Sequence, residues 1–458
     1  MVRFVVIGAG PAGVQAATLA ARLGAEVTVV EREILGGAAN LWDCIPSKAM
    51  IATGGYVSLA RRSAGMGLAA MEPAVDLAAL RARIGAVEEH LRASVASLLR
   101  DQGVRVIAGT GRLKGPHEVV AETDRGLEEL PADAVLLATG SRPRVPEWAE
   151  PDGVRVLTTR QAYPPPELPR HMVVIGSGVT GVEFVHLFRS FGAAVTLIVS
   201  RQQVLPQKDP EVAAALEDDF LRTGVRLFKG ARAVGIERDG HGEGDGDGVV
   251  VRCDDGRSAA GSHALLAIGS LPNSESLGLE AAGIEADSAG HVPVNHHCQT
   301  AVGHIYAAGD LSGKLPLASV ASMQGRKVAE HVMGLHSRQH RHLDYEKAAS
   351  AIFTEPEIAD VGLAEAEAFA IGRKIRVTKV PFAANARALI DGDPRGFVKI
   401  VSDPATGVVL GGSIVGRGAA ELISVLALAV TAHLKVSDIV ESLLVHPALA
   451  EALADAAE

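Results

Sequence analysis

The feature that most constrains this chain is a pattern of strand, glycine turn, helix and strand that occurs twice. The first copy spans residues 5–31 and contains the turn Gly8-Ala9-Gly10-Pro11-Ala12-Gly13. The second copy spans residues 173–199 and contains the turn Gly176-Ser177-Gly178-Val179-Thr180-Gly181. One such turn alone is weak evidence, but two in complete strand–helix–strand units predict two Rossmann-like dinucleotide-binding folds.

The glycine spacing has a physical reason. The first glycine of each turn permits a tight bend, the second lets backbone N–H groups approach a pyrophosphate, and the third lets helix and strand pack closely. Bound phosphates would face the N-terminus of the following helix, where unpaired N–H groups and the helix dipole favour anions. We therefore predict that each turn binds the pyrophosphate of one dinucleotide.

The residues that end the second strand of each copy differ. The first copy ends at Glu31, whose carboxylate can accept hydrogen bonds from ribose hydroxyls and would repel a 2′-phosphate. This suits the adenosine half of FAD. The second copy ends in Val199 followed by Ser200 and Arg201, with no acid. A hydroxyl and a guanidinium can accommodate a 2′-phosphate, so NADPH is favoured there over NADH, unless Arg201 is only a solvated surface residue.

Each copy is followed by an apolar strand that ends in glycine and a proline-containing turn. The first of these segments, residues 134–143, contains Thr139 and Gly140, and the second, residues 264–273, contains Gly269. Such a turn is typical of a place where the chain crosses between domains. We assign Thr139 and Gly140 to the first dinucleotide site and Gly269 to the second.

Composition narrows the class of protein. The 458 residues suffice for two to four domains, and 48% of them are hydrophobic, which suits an α/β protein with buried parallel strands. The net charge of −10 disfavours nucleic acid as a partner. Three cysteines argue against a secreted disulfide scaffold, and neither a signal peptide nor a membrane-spanning run is visible. We expect a cytoplasmic protein without membrane insertion.

The C-terminal part has a different pattern. Residues 397–401 and 408–416 resemble the two strands of a hairpin, residues 421–434 resemble a packed helix, and the apolar run 422–432 predicts that this helix is buried. A further helix is predicted over residues 77–101. The region after residue 340 therefore reads as an α+β domain without a nucleotide motif, whose natural role is interaction.

Two polar stretches contain residue types that can bind metal ions. Residues 240–248 form a glycine-rich loop, read as a hairpin tip, that lacks the calcium-loop pattern. The histidines at His296, His297 and within residues 336–342 lack metal-ligand spacing. We predict no metal site.

Two further motifs carry a family resemblance. Residues 36–48 read Gly-Gly-Ala-Ala-Asn-Leu-Trp-Asp-Cys-Ile-Pro-Ser-Lys, and residues 305–310 read Ile-Tyr-Ala-Ala-Gly-Asp. Near the C-terminus, residues 446–451 read His-Pro-Ala-Leu-Ala-Glu. With the two glycine turns, these segments resemble the class I pyridine nucleotide–disulfide oxidoreductases, which include lipoamide dehydrogenase, over nearly the whole chain.

The resemblance implies an α/β fold with two Rossmann-like FAD- and NAD(P)-binding domains and a C-terminal α+β dimerisation domain. It divides the chain into residues 1–150 and 274–340 for FAD, 151–273 for NAD(P) and 341–458 for dimerisation. It adds Gly37, Asp310 and the segment with Leu317 and Ala318 to the FAD site, with Asp310 on the ribityl chain. It also implies a homodimer.

The resemblance further implies catalytic roles. Lys48 would lie beside flavin N5, paired with Glu183, which can face the nicotinamide. A cation at that place stabilises negative charge that develops on reduced flavin. His446 would be an acid–base group oriented by Glu451 and directed to the active site of the partner subunit. The alternative reading of His446 and Glu451 is a cap of a C-terminal helix, which Pro447 would help to begin.

The chain departs from the family at one decisive position. The family has two cysteines in a Cys-x4-Cys pattern, but here Cys44 holds the second position and Ala39 the first. A lone thiol cannot form the internal disulfide that relays electrons to a dithiol substrate. Cys44 has two readings. In the first, Cys44 is a reactive thiolate, favoured by the helix N-terminus and by Lys48. In the second, it is a relic of the cysteine pair and has only a packing role. Cys253 and Cys298 are read as structural.

These observations favour an FAD enzyme that passes electrons from NADPH or NADH to a quinone or related small acceptor, similar to the NAD(P)H:quinone reductase branch. A dihydrolipoyl dehydrogenase is the first alternative, and Ala39 argues against it. A single-cysteine NAD(P)H oxidase or peroxidase using Cys44 is the second. A non-catalytic flavoprotein that senses redox state or acts as a scaffold is the third, and the presence of Lys48, Glu183 and His446 counts against it.

Overall fold

A computed structural model describes residues 1–239, 248–335 and 343–458. The predicted loop before Gly248 and the histidines of residues 336–342 lie outside the described residues. The described helices, several short 3-10 turns aside, are α1 (Pro11–Arg22), α2 (Gly37–Leu41), α3 (Cys44–Arg62), α4 (Leu77–Asp101), α5 (Val179–Ser190), α6 (Pro210–Arg222), α7 (Ala318–Val332), α8 (Glu365–Ala370), α9 (Ala386–Ile390), α10 (Ala419–Ala432), α11 (Val436–Val440) and α12 (Glu451–Ala457).

The strands within the described residues fall into six sheets. In chain order they are β1 (Arg3–Ile7), β2 (Glu26–Glu31), β3 (Arg105–Ala108), β4 (Thr110–Gly115), β5 (Glu118–Thr123), β6 (Gly126–Pro131), β7 (Ala134–Leu137), β8 (Ser141–Pro143), β9 (Val156–Thr158), β10 (His171–Ile175), β11 (Ala194–Val199), β12 (Arg226–Lys229), β13 (Ala233–Asp239), β14 (Gly248–Cys253), β15 (Ser258–Gly261), β16 (His263–Leu266), β17 (Ser270–Pro272), β18 (Ile305–Ala307), β19 (Ser350–Ile352), β20 (Ile358–Gly362), β21 (Arg376–Pro381), β22 (Phe397–Ser402) and β23 (Val409–Val415).

The chain forms two compact units. Unit 1 comprises Met1–Ser47, Arg81–Arg144 and Ser270–Tyr345, and unit 2 comprises Lys48–Leu80, Val145–Gly269 and Glu346–Glu458. Each unit thus contains one of the two glycine turns. The finer boundaries at residues 150, 273 and 340 stay predictions.

Unit 1 is built on a five-stranded parallel sheet in the order β18-β7-β1-β2-β3. Both faces of β1 are covered, because Phe4 and Val6 belong to one apolar cluster while Val5 and Ile7 belong to another. This explains the continuous apolar run of the sequence, since successive side chains of a strand point to opposite faces. Two smaller antiparallel sheets, β4-β5-β6 and β8-β17, complete the unit.

Unit 2 repeats this plan with a parallel sheet in the order β12-β11-β10-β16-β9 and an antiparallel sheet β13-β14-β15. Strand β10 holds the central position that β1 holds in unit 1. The chain therefore leaves the middle of each sheet directly into a glycine turn, which is the topological switch point where such sheets bind nucleotides.

The C-terminal part of unit 2 is an antiparallel sheet in the order β19-β20-β23-β22-β21, packed against α10 and α12. The predicted hairpin is confirmed as β22 and β23, and the predicted helices are confirmed as α4 and α10. The prediction that the run 422–432 is buried is wrong in part, because Leu428 is 64% and Val425 is 38% exposed. Only one face of α10 packs on the sheet.

No helix in the described part of the chain is long and apolar enough to cross a membrane.

Candidate cofactor and active site

The first glycine turn is closed so tightly that side chains would not fit. Gly8 has φ 101°, and a Cβ on it would collide with the carbonyl group of Ala138. A Cβ on Gly13 would collide with the carbonyl oxygen of Gly8. Gly10, the N-cap of α1, faces open space instead, with nothing within 4 Å of its Cβ position. Pro11 and Ala12 begin α1, so the helix N-terminus points at this opening.

Glu31 is held in place at the end of β2. Its Oε2 accepts the Ala9 N–H at 2.6 Å, and its Oε1 accepts the Glu33 N–H at 2.7 Å. Oε1 also accepts the Ile34 N–H at 3.3 Å, whereas Oε2 keeps a lone pair for another donor. Gly37 also adjoins the turn, because a Cβ on it would lie 2.7 Å from the Cα of Gly10. The structure therefore brings Glu31 and Gly37 to the first turn.

Asp310 lies in a short 3-10 turn after β18. Its Oδ2 accepts a hydrogen bond from the Ser141 hydroxyl at 2.6 Å. Thr139 donates to the carbonyl oxygen of Asn273 at 2.8 Å, and Gly140 follows with φ 65°. Leu317 is the N-cap of α7 and Ala318 is its first residue.

The second turn reproduces the first. Gly176 has φ 110°, Gly178 is the N-cap of α5, and a Cβ on Gly181 would collide with the carbonyl oxygen of Gly176. Val179 and Thr180, at the start of α5, are exposed. Gly269, after β16, has φ 95°.

The end of β11 offers a different surface from the end of β2. Ser200 and Arg201 follow the strand directly and are exposed. The carbonyl oxygen of Arg201 accepts the Gly230 N–H at 3.0 Å, which fixes its backbone. Among the described residues, no carboxylate forms an ion pair with Arg201, so its charge is available to a phosphate.

Lys48 and Glu183 form the ion pair that the sequence predicted. Lys48 Nζ lies 2.7 Å from Glu183 Oε2. Glu183 is only 6% exposed, and its Oε1 accepts the Phe353 N–H at 2.9 Å. The Phe353 ring also faces Lys48, with its centroid 4.9 Å from Nζ. Glu183 lies in α5, two residues after the last glycine of the second turn. The same helix therefore carries the last glycine of the second turn and the carboxylate that pairs with Lys48.

Cys44 is the first residue of α3, one turn before Lys48, and Ala39 lies in α2. All three cysteines are free thiols. Burial raises the pKa of the Cys253 thiol, and it raises the pKa of the Cys298 thiol to about 11. Neither is a reactive thiolate near neutral pH, which agrees with their reading as structural.

His446 and Glu451 form a pair on the surface of the chain. His446 Nδ1 lies 2.8 Å from Glu451 Oε1, and the imidazole side chain is 74% exposed. Glu451 Oε2 accepts the Ala448 N–H, and this bond together with His446 lowers the pKa of the carboxyl. The interpretation of Pro447 as a helix starter is wrong, because a turn separates it from α12, which begins at Glu451.

The family follows from comparison with known proteins. Residues 2–325 match the pyridine nucleotide-disulphide oxidoreductase family, and residues 348–457 match the dimerisation domain of the same family. The chain belongs to this family. It is therefore an FAD-dependent oxidoreductase that uses NADPH or NADH, and the predicted fold class and cofactors are confirmed.

Individual relatives of this oxidoreductase cover its whole length. An NAD(P)H dehydrogenase (quinone) of Mycobacterium tuberculosis is 41% identical over 99% of this chain and 93% of its own length. A dihydrolipoyl dehydrogenase of Zymomonas mobilis is 34% identical over 98% of this chain and 96% of its own. A crystal structure of LpdA from Mycobacterium tuberculosis matches with a TM-score of 0.93 at 40% identity, covering 100% of this chain and 99% of that one.

The residues present fit both cofactors. At each turn the first and third glycines leave no room for a side chain, whereas the second faces open space before a helix N-terminus. A dinucleotide pyrophosphate needs this combination of close backbone packing and free N–H groups. The turn of residues 8–13 with Glu31 would hold FAD, and the turn of residues 176–181 would hold the nicotinamide dinucleotide.

Sequence reasoning missed the role of Gln324, which is 1% exposed in α7. Its Oε1 accepts the Gly309 N–H at 2.7 Å, and its Nε2 donates to Tyr345 Oη at 2.9 Å. The next residue, Gly325, packs so closely on α1 that a Cβ would collide with the carbonyl oxygen of Ala12. Gln324 and Gly325 thus tie the Gly309–Asp310 turn to the helix of the first glycine turn. The signal available in the sequence was that Gln324 is a polar residue at a position where the pattern of α7 is apolar.

Proposed function

We propose that this oxidoreductase passes electrons from NADPH or NADH through FAD directly to a quinone or a similar small acceptor, without an internal redox disulfide. The observation that carries the proposal is Ala39, which replaces one of the two cysteines of the family, while Lys48, Glu183 and both glycine turns are in place. The name of the quinone dehydrogenase relative from Mycobacterium tuberculosis supports it.

When bound, FAD accepts two electrons from a reduced nicotinamide and passes them to an acceptor. Lys48 would stabilise the negative charge that develops beside it, and a fixed ammonium group does so without reorganisation. Glu183 holds this ammonium group at 2.7 Å, and its own position is fixed by the Phe353 N–H. Lys48 and Glu183 are therefore proposed as one charge-compensated unit.

His446 is proposed to protonate the oxygen of the reduced acceptor. In the neutral tautomer in which Nδ1–H donates to Glu451, Nε2 would pass on a proton after the ring is protonated. The exposure of the imidazole suits a residue that serves a second copy of the chain. The dimerisation domain of residues 348–457 supports a homodimer, in which this role would be exercised.

The nicotinamide dinucleotide is proposed to be NADPH in preference to NADH. Support comes from the guanidinium of Arg201, which pairs with no carboxylate of the described residues, and from the absence of an acid at the end of β11. The guanidinium would bind a 2′-phosphate with two parallel hydrogen bonds.

The test is steady-state oxidation of NADPH and NADH by the FAD-loaded protein, with menadione or benzoquinone in one series and lipoamide in the other. We expect fast quinone reduction and negligible lipoamide reduction, with the same quinone rate in Cys44→Ser. A matched control is Cys253→Ser, which alters a buried thiol in another part of the chain. Rapid lipoamide turnover would contradict the proposal.

A second candidate rests on Cys44. It begins α3 one turn before Lys48, and both features lower a thiol pKa and favour the thiolate. A single-cysteine oxidase or peroxidase would lose its activity in Cys44→Ser, whereas direct transfer from flavin would not. In Ala39→Cys, which restores the family's pair, we expect some lipoamide reduction to appear.

A further inference from the structure

Unit 2 contains a cavity of ≈ 340 Å³ that the proposed electron transfer does not use. It is bordered by the C-terminal ends of α3, α5 and α6 and by residues 392–395. Helix α5 begins at the second glycine turn and ends at this cavity. Its 12 residues span about 18 Å, which is the distance between the glycine turn and the cavity. The cavity is therefore distinct from the nucleotide site.

The inner wall of the cavity is a closed network of ion pairs. Arg395 contacts Asp393 at 2.6 Å, Asp219 at 2.8 Å and Glu355 at 2.9 Å. Arg62 also pairs with Glu355 and lies 3.9 Å from Asp393. Every carboxylate that borders the cavity is thus neutralised by an arginine. His186 lies beside this network, and burial lowers its pKa, so it adds no charge near neutral pH.

Additional arginines line the same cavity. Arg189 donates to the carbonyl oxygens of Thr223 at 2.6 Å and Ala193 at 3.3 Å, and no carboxylate of the described residues pairs with it. Arg61 donates to the Ser190 carbonyl oxygen at 3.0 Å, and its ion-pair partner Glu72 lies 3.5 Å away with a side chain that is 86% exposed. Backbone carbonyl bonds orient these guanidinium groups without cancelling their charge.

Arg222 completes the lining and pairs with Asp219, a carboxylate that Arg395 also contacts. The cavity therefore has five arginines against three carboxylates, an excess of two positive charges. Guanidinium groups match oxyanions in geometry as well as charge, since two parallel N–H groups can bind two oxygens. The volume lies within the ~300–1,000 Å³ range of small-molecule pockets.

We propose that this cavity binds a small oxyanion with at least two negative charges, such as a phosphate or a di- or tricarboxylate. Arg61, Arg189 and Arg222 would contact the ligand, while the network around Arg395 forms the wall that holds its shape.

The test is isothermal titration of the FAD-loaded protein with inorganic phosphate and, separately, with citrate, at constant ionic strength set by sodium chloride. The variants are Arg61→Gln and Arg222→Gln, because neither side chain is buried, with 36% and 60% of their surfaces exposed, and neither belongs to an apolar core. Arg189→Lys keeps the charge but removes the fork of parallel donors. The matched control is Arg92→Gln, an exposed arginine of α4 that pairs with Glu89.

We expect saturable binding of at least one probe to the unmodified protein and to Arg92→Gln. The dissociation constant should rise roughly ten-fold or more in Arg61→Gln and Arg222→Gln, because each loses a charge-assisted contact. It should also rise in Arg189→Lys, because an ammonium group cannot present two parallel donors. Binding of phosphate alone would identify a phosphoryl ligand, and binding of citrate alone a carboxylate. The proposal would be overturned if phosphate and citrate gave heats no larger than a chloride titration. It would also be overturned if all variants had the same dissociation constant as the unmodified protein.

Discussion

Gly8 and Gly176 open the two glycine turns with φ of 101° and 110°, and in both turns a Cβ on the third glycine would collide with the first. The turns differ where the following strand ends. Glu31 accepts three backbone N–H groups and ends the first strand pair with a carboxylate, whereas Ser200 and Arg201 leave the end of β11 exposed and positive. The two turns thus share one backbone geometry, and the proposed choice of nucleotide rests on the strand end.

Two further positions separate the copies. Glu183 follows the third glycine of the second turn by two residues, and the equivalent residue of the first turn is Gln15. His263 pairs with the central strand of the second sheet at the position that Ala134 holds in the first. At both positions the second copy has an ionisable side chain where the first copy has none.

The largest expected effect comes from placing a side chain on the third glycine of either glycine turn. Gly13→Val should give a protein without bound flavin, since the new side chain must displace the backbone of the turn, and overpacking costs about 1–3 kcal/mol or more. Gly181→Val should keep its flavin and lose NADPH oxidation. The flavin-to-protein absorbance ratio and the KM for NADPH measure the two results. Flavin loss in both variants would show that the sites are not independent.

Glu183→Gln makes the second copy resemble the first. We expect kcat for quinone reduction to fall about 10²-fold, because Lys48 loses the carboxylate that fixes it. The control is Glu217→Gln, which breaks the pair with Lys229 at 2.8 Å in the same unit. Stopped-flow reduction of the flavin by NADPH measures the affected step. Equal rates in both variants would remove Glu183 from the proposed machinery.

Arg201→Gln tests whether the end of β11 determines the preference for NADPH over NADH. Losing a charge-assisted contact to the 2′-phosphate should raise the KM for NADPH roughly ten-fold and leave that for NADH nearly unchanged. Arg226→Gln alters an exposed arginine of β12 and serves as the control. If the KM values for the two nucleotides rise together, the Arg201 guanidinium does not read the phosphate.

The smallest expected effect concerns acid stability. Burial is the main cause that lowers the pKa of His263 to about 4. Between that value and about 6.5 the unfolded chain binds a proton that the folded chain does not, so stability falls as the pH falls. His263→Ala, which copies Ala134, should reduce the loss of Tm between pH 6.5 and pH 4 by about 2 °C. Scanning calorimetry at several pH values measures this, and an unchanged slope would contradict it.

Local patterns predicted much of the fold. Both turns, α4, α10 and the β22–β23 hairpin follow from glycine spacing and apolar periodicity, which are properties of neighbouring residues. The exposure of Leu428 could not be predicted, because a uniformly apolar helix does not reveal which face packs on a sheet.

For the site residues, too, some features could be predicted from the sequence and others could not. The glycine-turn pattern predicted Glu31, and the family resemblance predicted Asp310 and the partnership of Lys48 with Glu183. Neither revealed that Phe353 holds Glu183 through its N–H, or that Gln324 holds Gly309. These contacts join residues far apart in the chain, and no spacing rule records them.

The contacts of Gln324 and Gly325 have a consequence for biosynthesis. A ribosome that has made the first 150 residues has supplied the first glycine turn, but neither β18, the edge strand of the unit 1 sheet, nor the helix that carries Gln324. Until those residues emerge, β7 is an open sheet edge. The proposed FAD site is therefore complete only when residue 324 of 458 has been translated, and the open edge of β7 is a place where the nascent chain can aggregate until then.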